Sequence, residues 1–108
     1  MKMLKIAGTV ATIATFTFTN LQAEEHVVSQ KNKRFSQSEI TIKVGDSISF
    51  PNHDPFFHSV FSLSETKTFD LGSYKNGATK VETFDTAGVV EAECALHPRM
   101  QLKITVEE

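Results

Sequence analysis

The feature that most constrains this chain is the alternation of apolar and polar residues, which recurs in short segments separated by turn residues. The segment "EITIKV" places Ile40 and Ile42 on one face, and "VVEAECAL" places Val90, Ala92 and Cys94 on one face. A period of two residues is that of a half-buried β-strand. Because several such segments follow one another with turns between them, the sequence predicts an all-β fold, a Greek-key β-sandwich or barrel of about seven or eight strands.

Segments rich in Gly, Asn and Pro mark the predicted ends of these strands. The pair "GD" separates "EITIKV" from "SISF", and "PNHDP" precedes the apolar strand "FFHSVFSL". The segment "GSYKNGAT" is predicted to be a loop, because it contains the turn pair "NG". The first segment, "HVVSQKNKRFSQ", is predicted to be an edge strand that ends in a polar turn. Alternation within "FFHSVFSL" indicates that either Phe56 or Phe57 faces the core, while the other can join a surface patch.

Residues 1–23 have the three-part pattern of a secretory signal peptide. Two lysines precede the uncharged segment "IAGTVATIATFTF", and Leu21 and Ala23 in "NLQA" have the spacing that a signal peptidase accepts. The apolar segment has about 13 residues, fewer than the roughly 20 that span a bilayer, which disfavours the alternative of a membrane anchor. We therefore expect cleavage after Ala23, export to the periplasm, and one domain, residues 24–108, that does not insert into the membrane.

The charge of residues 24–108 disfavours a nucleic-acid partner. This part of the chain contains nine Lys and Arg against 13 Asp and Glu, a net charge of −4. Proteins that bind nucleic acid usually present a basic face, which this composition does not indicate. The acidic balance permits a basic protein partner without requiring one.

Cys94 is the only cysteine of the sequence, so no internal disulfide can form. Small exported domains commonly pair their cysteines, and a single cysteine there indicates intermolecular pairing or a functional thiol. A free, exposed thiolate would be oxidised outside the cytoplasm. A thiolate that binds a metal and is shielded from solvent would persist.

The segment "ECALHPRM" places three potential metal donors close together: Cys94, His97 and Met100. Alternation directs Cys94 inward at the end of its strand. A fourth donor must come from elsewhere, and His58 in the apolar strand "FFHSVFSL" can supply it if the two strands are neighbours. His53 lies in a polar cluster and is expected to be exposed. His26 lies near the start of the domain, where we expect it to be mobile.

Two histidines, one cysteine and a distant methionine form the ligand set of a blue-copper electron-transfer site. Thiolate and thioether suit Cu(I), while structural zinc sites usually contain paired cysteines. Each residue alone has an ordinary explanation: Cys94 as a small buried side chain, Met100 as core filling, and His58 as a hydrogen-bonded core histidine. Their combination at the end of an inward-facing strand favours a single copper ion.

The sequence resembles the cupredoxins, the plastocyanin and amicyanin family of type 1 copper proteins. "IKVGDSISFPN", "HSV" and "FDTAGVVEAECALHPRM" are similar to the family's strand–turn–strand segment, its first histidine ligand and its closing ligand loop. The similarity extends from about Phe35 to Val106, and small periplasmic proteins labelled methylamine-utilisation or plastocyanin-like share it. The Cys-x2-His-x2-Met spacing is the short, amicyanin-like form. The resemblance implies four copper ligands: His58, Cys94, His97 and Met100.

Two residues depart from the family pattern. Ser59 stands where the family has an asparagine whose side chain ties the ligand strand to the cysteine loop. Partners outside the ligand shell tune a metal site, so this change puts the reduction potential in question. Glu93 stands where relatives often have an aromatic residue or a glycine. It either adds negative charge beside the site or is an ordinary solvated strand residue.

The resemblance implies a periplasmic, monomeric carrier of one electron rather than an enzyme. Its partners would be redox proteins met transiently, such as a cytochrome, a dehydrogenase or an oxidase. The family presents the second loop histidine at the surface, and here Leu96 and Pro98 flank His97, with Arg99 on the rim of the patch. A small apolar patch of this kind suits a brief encounter between proteins.

Other functions remain open at the level of the sequence. The main alternative is a periplasmic copper-binding protein for delivery or storage, although the sequence lacks the exposed Met/His-rich or Cys-rich tracts of metal chaperones. A cupredoxin-like interaction module without metal is a third. Catalysis by a cysteine–histidine pair would need a substrate cleft, and multicopper oxidases need His-x-His pairs that the sequence lacks.

Overall fold

The computed structural model describes residues 22–108, which form ten β-strands and, within that range, no helix. In chain order the strands are β1 (Glu25–Val27), β2 (Gln30–Lys31), β3 (Arg34–Phe35), β4 (Glu39–Lys43), β5 (Ser47–Pro51), β6 (His58–Ser64), β7 (Lys67–Tyr74), β8 (Thr79–Thr83), β9 (Gly88–Cys94) and β10 (His97–Glu107). The expected signal peptide lies outside the described residues except for its last two positions. Among residues 22–108, no helix could serve as a membrane span.

Eight of these strands form two main sheets. One sheet has the order β1-β5-β8 and the other the order β4-β10-β9-β6-β7, while β2 and β3 form a separate hairpin. Strand β1 runs parallel to β5 and β4 runs parallel to β10, and the remaining neighbours are antiparallel. The predicted all-β architecture of seven or eight strands is therefore confirmed, and a Greek-key sandwich fits this order.

The core consists of the side chains that alternation directed inward. Val90, Ala92 and Cys94 of β9 are all at most 1% exposed, and Leu102 and Ile104 of β10 are equally buried. Aromatic side chains of the three-stranded sheet and of the hairpin pack in the same cluster. Burial of this apolar surface is the main favourable contribution to folding. The predicted inward direction of Cys94 is thus confirmed.

Two local predictions differ from the structure. The segment "GSYKNGAT" is only partly a loop, because β7 continues to Tyr74. Tyr74 is buried, and its hydroxyl donates to the carbonyl of Phe50 at 2.8 Å and accepts from Gln30 at 2.6 Å. The first segment is not one edge strand. It divides into β1, which joins the three-stranded sheet, and the hairpin β2–β3.

Asp46 connects the start of β1 to the turn between β4 and β5. One carboxylate oxygen accepts from the amide of Glu24, and the other accepts from the amide of Lys43 and from Nε2 of His26, each at 2.9 Å. His26, which we expected to be mobile, is therefore held in place and half-buried. The hydrogen bond from Glu24 and those from His26 and Lys43 lower the pKa of Asp46 to about 2.

This lowered pKa predicts a specific acid dependence of stability. The pKa of Asp46 falls from 3.8 to about 2 on folding. Its contribution to the free energy of unfolding is therefore fully present above pH 3.8 and is lost as the pH falls through about 2. We expect Asp46→Asn to lower the free energy of unfolding at neutral pH and to flatten its decline in this acidic range. Urea unfolding of the metal-free protein at several pH values measures both. The exposed Asp85, changed to Asn, is the control, and parallel pH profiles for wild type and Asp46→Asn would contradict the assignment.

Candidate metal centre

The pairing of three strands brings the predicted donors to one end of the five-stranded sheet. Strand β6 lies next to β9, with Val60 paired to Cys94, so that His58 is close to the end of β9. Strand β10 lies on the other side of β9, and His97 pairs with Cys94. The register then shifts between His97 and Gln101, which separates the ligand loop from the regular part of β10. The predicted proximity of the histidine strand and the cysteine strand is confirmed.

Three donor atoms converge on one point. Cys94 Sγ lies 3.6 Å from Nδ1 of His58 and 3.7 Å from Nδ1 of His97. The ligand atoms of the three residues lie within 4.8 Å of one another. His58 is 0% exposed and Cys94 is 1% exposed, while His97 is half-buried. The thiol is thus shielded from solvent, and one histidine reaches towards the surface.

These separations fit a single metal ion. Metal bonds of about 2.0–2.1 Å to nitrogen and about 2.3 Å to sulfur, at angles between tetrahedral and trigonal, hold the two atoms about 3.6–3.8 Å apart. The two sulfur–nitrogen distances of 3.6 and 3.7 Å lie in that range. Distance alone does not select the metal. One thiolate with two imidazoles, however, is a donor set that suits copper, whereas structural zinc sites usually have more cysteines.

Met100 lies on the inward face of β10 and is 1% exposed. Because Gln101 pairs with Glu93, Met100 lies at the level of Cys94 on the neighbouring strand. Burial at this level suits a thioether that approaches the cluster from the core. The role of Met100 as the fourth ligand stays a prediction.

The main chain of Ser59 ties β6 to the end of β9. Its amide donates to Cys94 Sγ at 3.3 Å, and its carbonyl accepts from the amide of Ala95 at 3.1 Å. Both ties are independent of the side chain at position 59, so serine in place of asparagine does not remove them. The effect of this serine on the reduction potential stays a prediction.

Glu93 is half-buried on the face of β9 opposite to Cys94, where it lines a surface cleft with Ser38 and Gln101. Alternation along β9 accounts for this position. The carboxylate therefore does not take part in the donor cluster.

Asp54 contacts a candidate ligand, and the sequence analysis did not single it out. It is 3% exposed, and its Oδ2 accepts from Nε2 of His58 at 2.7 Å. This hydrogen bond places the proton on Nε2 and leaves the lone pair of Nδ1 directed towards Cys94. A carboxylate behind a histidine in this way is the usual support of a metal-binding imidazole. The signal was a carboxylate four residues before the candidate histidine in "DPFFH".

The surroundings of Asp54 and His97 lower the pKa of both side chains. Burial raises the pKa of Asp54, but hydrogen bonds from the amide of Lys33, from His58 and from the amide of Asn32 outweigh it, so the pKa lies below its ordinary value. Burial lowers the pKa of His97, and the neighbouring His58 and Lys33 lower it further, against a smaller opposite effect of Asp54. The lowered pKa of His97 favours the neutral imidazole, which is the form that binds a metal.

Phe56 covers the imidazoles. Its ring centroid lies 5.4 Å from that of His58 and 5.2 Å from that of His97. Strand β6 begins only at His58, so strand alternation does not apply to the two phenylalanines, and neither belongs to the core cluster. The expectation that one of them faces the core is wrong: Phe57 is 55% exposed, and Phe56 packs against the two histidines.

Three solved structures of copper proteins illustrate the similarity of fold. The Cu(I) structure of a methionine-to-alanine variant of amicyanin has a TM-score of 0.72 and 24% identity, over 77% of this chain and 82% of that chain. The Cu(I) form at pH 4 of a proline-to-glycine variant of amicyanin has a TM-score of 0.71 and 26% identity, with the same coverage. The copper-containing nitrite reductase from Thermus scotoductus SA-01 has a TM-score of 0.72 and 23% identity, over 78% of this chain but 22% of that chain.

No protein-family model and no curated protein matches the sequence. The fold, together with the cluster of His58, Cys94 and His97, is instead that of the cupredoxins. The resemblance predicted from the sequence is thereby confirmed.

The hydrogen bond between Asp54 and His58 predicts a loss of metal affinity when it is altered. Asp54→Asn keeps the size of the side chain but removes the charge that orients Nε2–H of His58. We expect the affinity for Cu(I), measured by competition with a chelator, to fall by about 10- to 100-fold. Thermal unfolding of the metal-free variant shows whether the fold is kept.

Asp85→Asn removes the same charge at an exposed position and should leave the affinity unchanged. A wild-type affinity in folded Asp54→Asn would show that the carboxylate has no part in the site.

Proposed function

We propose that this chain is a type 1 copper protein that carries one electron, and that His58, Cys94, His97 and Met100 bind its copper ion. The observation that carries this proposal is the convergence of one buried thiol and two Nδ1 atoms at 3.6 and 3.7 Å. When bound, copper supplies the exchange of one electron between Cu(I) and Cu(II).

The protein's own residues supply a rigid and dry site for that exchange. Cys94 and His58 come from neighbouring strands, and Asp54 and the amide of Ser59 fix them. Ligands that scarcely move favour electron transfer, because little rearrangement accompanies the change in oxidation state. Phe56 excludes water from the two imidazoles, while the half-buried His97 gives an electron a short way to the surface.

The comparisons support a carrier more than an enzyme. The likeness to amicyanin extends over 82% of that chain, whereas the likeness to the nitrite reductase extends over 22% of that chain. The second match therefore supports the fold but not that enzyme's reaction. We further propose a monomer in the periplasm, released from its signal peptide after Ala23, that meets a cytochrome, a dehydrogenase or an oxidase transiently.

The decisive experiment is the visible spectrum of the purified protein with Cu(II). We expect an intense blue colour, because thiolate coordination to Cu(II) in a trigonal site characterises this class. Cys94→Ser should abolish the colour, since its hydroxyl does not replace the thiolate. His53→Ala removes an exposed imidazole outside the cluster and should leave the spectrum unchanged. A colourless protein that holds zinc tightly would contradict the proposal.

Copper delivery or storage is the alternative function, and a half-exposed ligand, His97, is the feature that favours it. Burial of Cys94 and His58 favours the carrier, because a chelating acceptor cannot reach either donor without local opening.

We therefore expect the Cu(I)-loaded protein to lose its metal to a chelating acceptor slowly. This loss should take much longer than the transfer of an electron. The measurement follows the absorbance of the chelator's copper complex over time. Asp85→Asn provides a control for nonspecific surface binding. Complete transfer as fast as mixing would favour delivery.

A further inference from the structure

The surface around His97 has the opposite charge to the rest of the protein. An open cleft of about 570 Å³ is lined by Asn32, Lys33, Arg34, Leu96, His97, Pro98 and Arg99. Three of these residues are cationic and none is acidic, although residues 22–108 contain nine Lys and Arg against 13 Asp and Glu. The cations are therefore concentrated at the end of the molecule where the candidate metal ligand reaches the surface.

The β2–β3 hairpin carries two of the cationic side chains, Lys33 and Arg34, and hydrogen bonds fix its position. Asn32 and Lys33 form its turn with φ of 56° and 57°, a left-handed conformation that non-glycine residues adopt at a cost. Their amides donate to the two carboxylate oxygens of Asp54, at 2.6 and 3.0 Å. Because Asp54 also accepts a hydrogen bond from His58, the hairpin is fixed relative to the cluster of candidate ligands.

A further contact holds Lys33 close to His97. Lys33 Nζ lies 5.6 Å from the ring centroid of Phe56, which itself packs on His97 at 5.2 Å. Arg99 follows His97 by two residues on β10 and is exposed. Leu96, which lines the cleft, is 53% exposed, and Phe57, which directly precedes His58, is 55% exposed. The face therefore combines apolar area with a cationic rim.

We propose that Lys33, Arg34 and Arg99 form a docking surface for an acidic protein that exchanges its electron through His97. The inference rests on the proposed function and names the chemistry of the partner. Charge complementarity steers two proteins together and raises their association rate, while a small apolar contact lets them separate quickly. The negative net charge of the chain would otherwise repel an acidic partner.

The test uses a salt dependence whose sign distinguishes local charge from net charge. The probe is reduced cytochrome b5, an acidic haem protein, mixed with the Cu(II)-loaded protein. With cytochrome b5 we expect the second-order rate to fall by about tenfold or more between low and high ionic strength. If net charge governed the encounter, two acidic proteins would react faster as salt increased, which would overturn the proposal.

Matched variants locate the effect. The first triple variant removes three charges by Lys33→Asn, Arg34→Gln and Arg99→Gln. Asparagine is chosen at position 33 because it tolerates the left-handed conformation of the turn. This triple variant should react about tenfold more slowly with cytochrome b5 at low salt and should reverse the salt dependence. The control, Lys43→Gln, Lys80→Gln and Lys103→Gln, makes the same change in net charge outside the cleft and should behave like wild type. Equal behaviour of the two triple variants would overturn the proposal.

A second measurement does not need copper, so that failure of the proposed function and failure of this inference can be told apart. The metal-free protein is titrated with hexacyanochromate(III), a paramagnetic trianion, and amide NMR signals are followed. Broadening should concentrate at residues 32–34 and 96–99 and should disappear in the first triple variant. Broadening spread over other surfaces would overturn the assignment. If the signals broaden in the cleft but the rate with cytochrome b5 does not depend on salt, the cleft binds small anions only. That result would overturn the proposal that an acidic protein docks there.

Discussion

The metal centre depends on the register in which β6, β9 and β10 pair. Val60 and His97 are both paired to Cys94, from opposite sides of β9. Because side chains alternate between the faces of a sheet, a slip of one residue in either pairing would turn a donor to the wrong face or out of reach. The buried alternation of β9 and β10 makes such a slip costly, since it would expose the core side chains of those strands. The apolar core thus sets the geometry of the polar site.

Much of this arrangement could be predicted from the sequence, because it rests on patterns of period two. The inward direction of Cys94 followed from Val90 and Ala92, and the strand ends followed from turn residues. The wrong predictions for Tyr74 and His26 involve residues whose environment is set by distant contacts. Tyr74 extends β7 because its hydroxyl finds partners 24 and 44 residues away along the chain. His26 is held by Asp46, which lies 20 residues further on.

Asp54 illustrates the same limit within the site. A carboxylate in "PNHDP" reads as part of an exposed turn, since aspartate favours turns and is rarely buried alone. Its burial becomes favourable only when the hairpin turn and His58 supply N–H donors. The pairing with the hairpin turn, more than 20 residues away along the chain, has no local sequence signature. One carboxylate then serves two purposes, because it orients a candidate ligand and positions the cationic hairpin. Physical reasoning from the sequence could identify the donors but not the group that holds them.

The unequal exposure of the candidate ligands reconciles two opposing demands on a metal site that contains a cysteine. Cys94 must be kept from oxidants and water, and its burial, together with that of His58, meets this demand. A fully enclosed site, however, would separate the metal from any partner. The ligand loop resolves this by carrying His97 outward on the strand next to Cys94, where Phe56 covers the imidazole and exposed Leu96 flanks it. The closeness of Cys94 and His97 in sequence is what allows one short loop to join the protected donor to the accessible one.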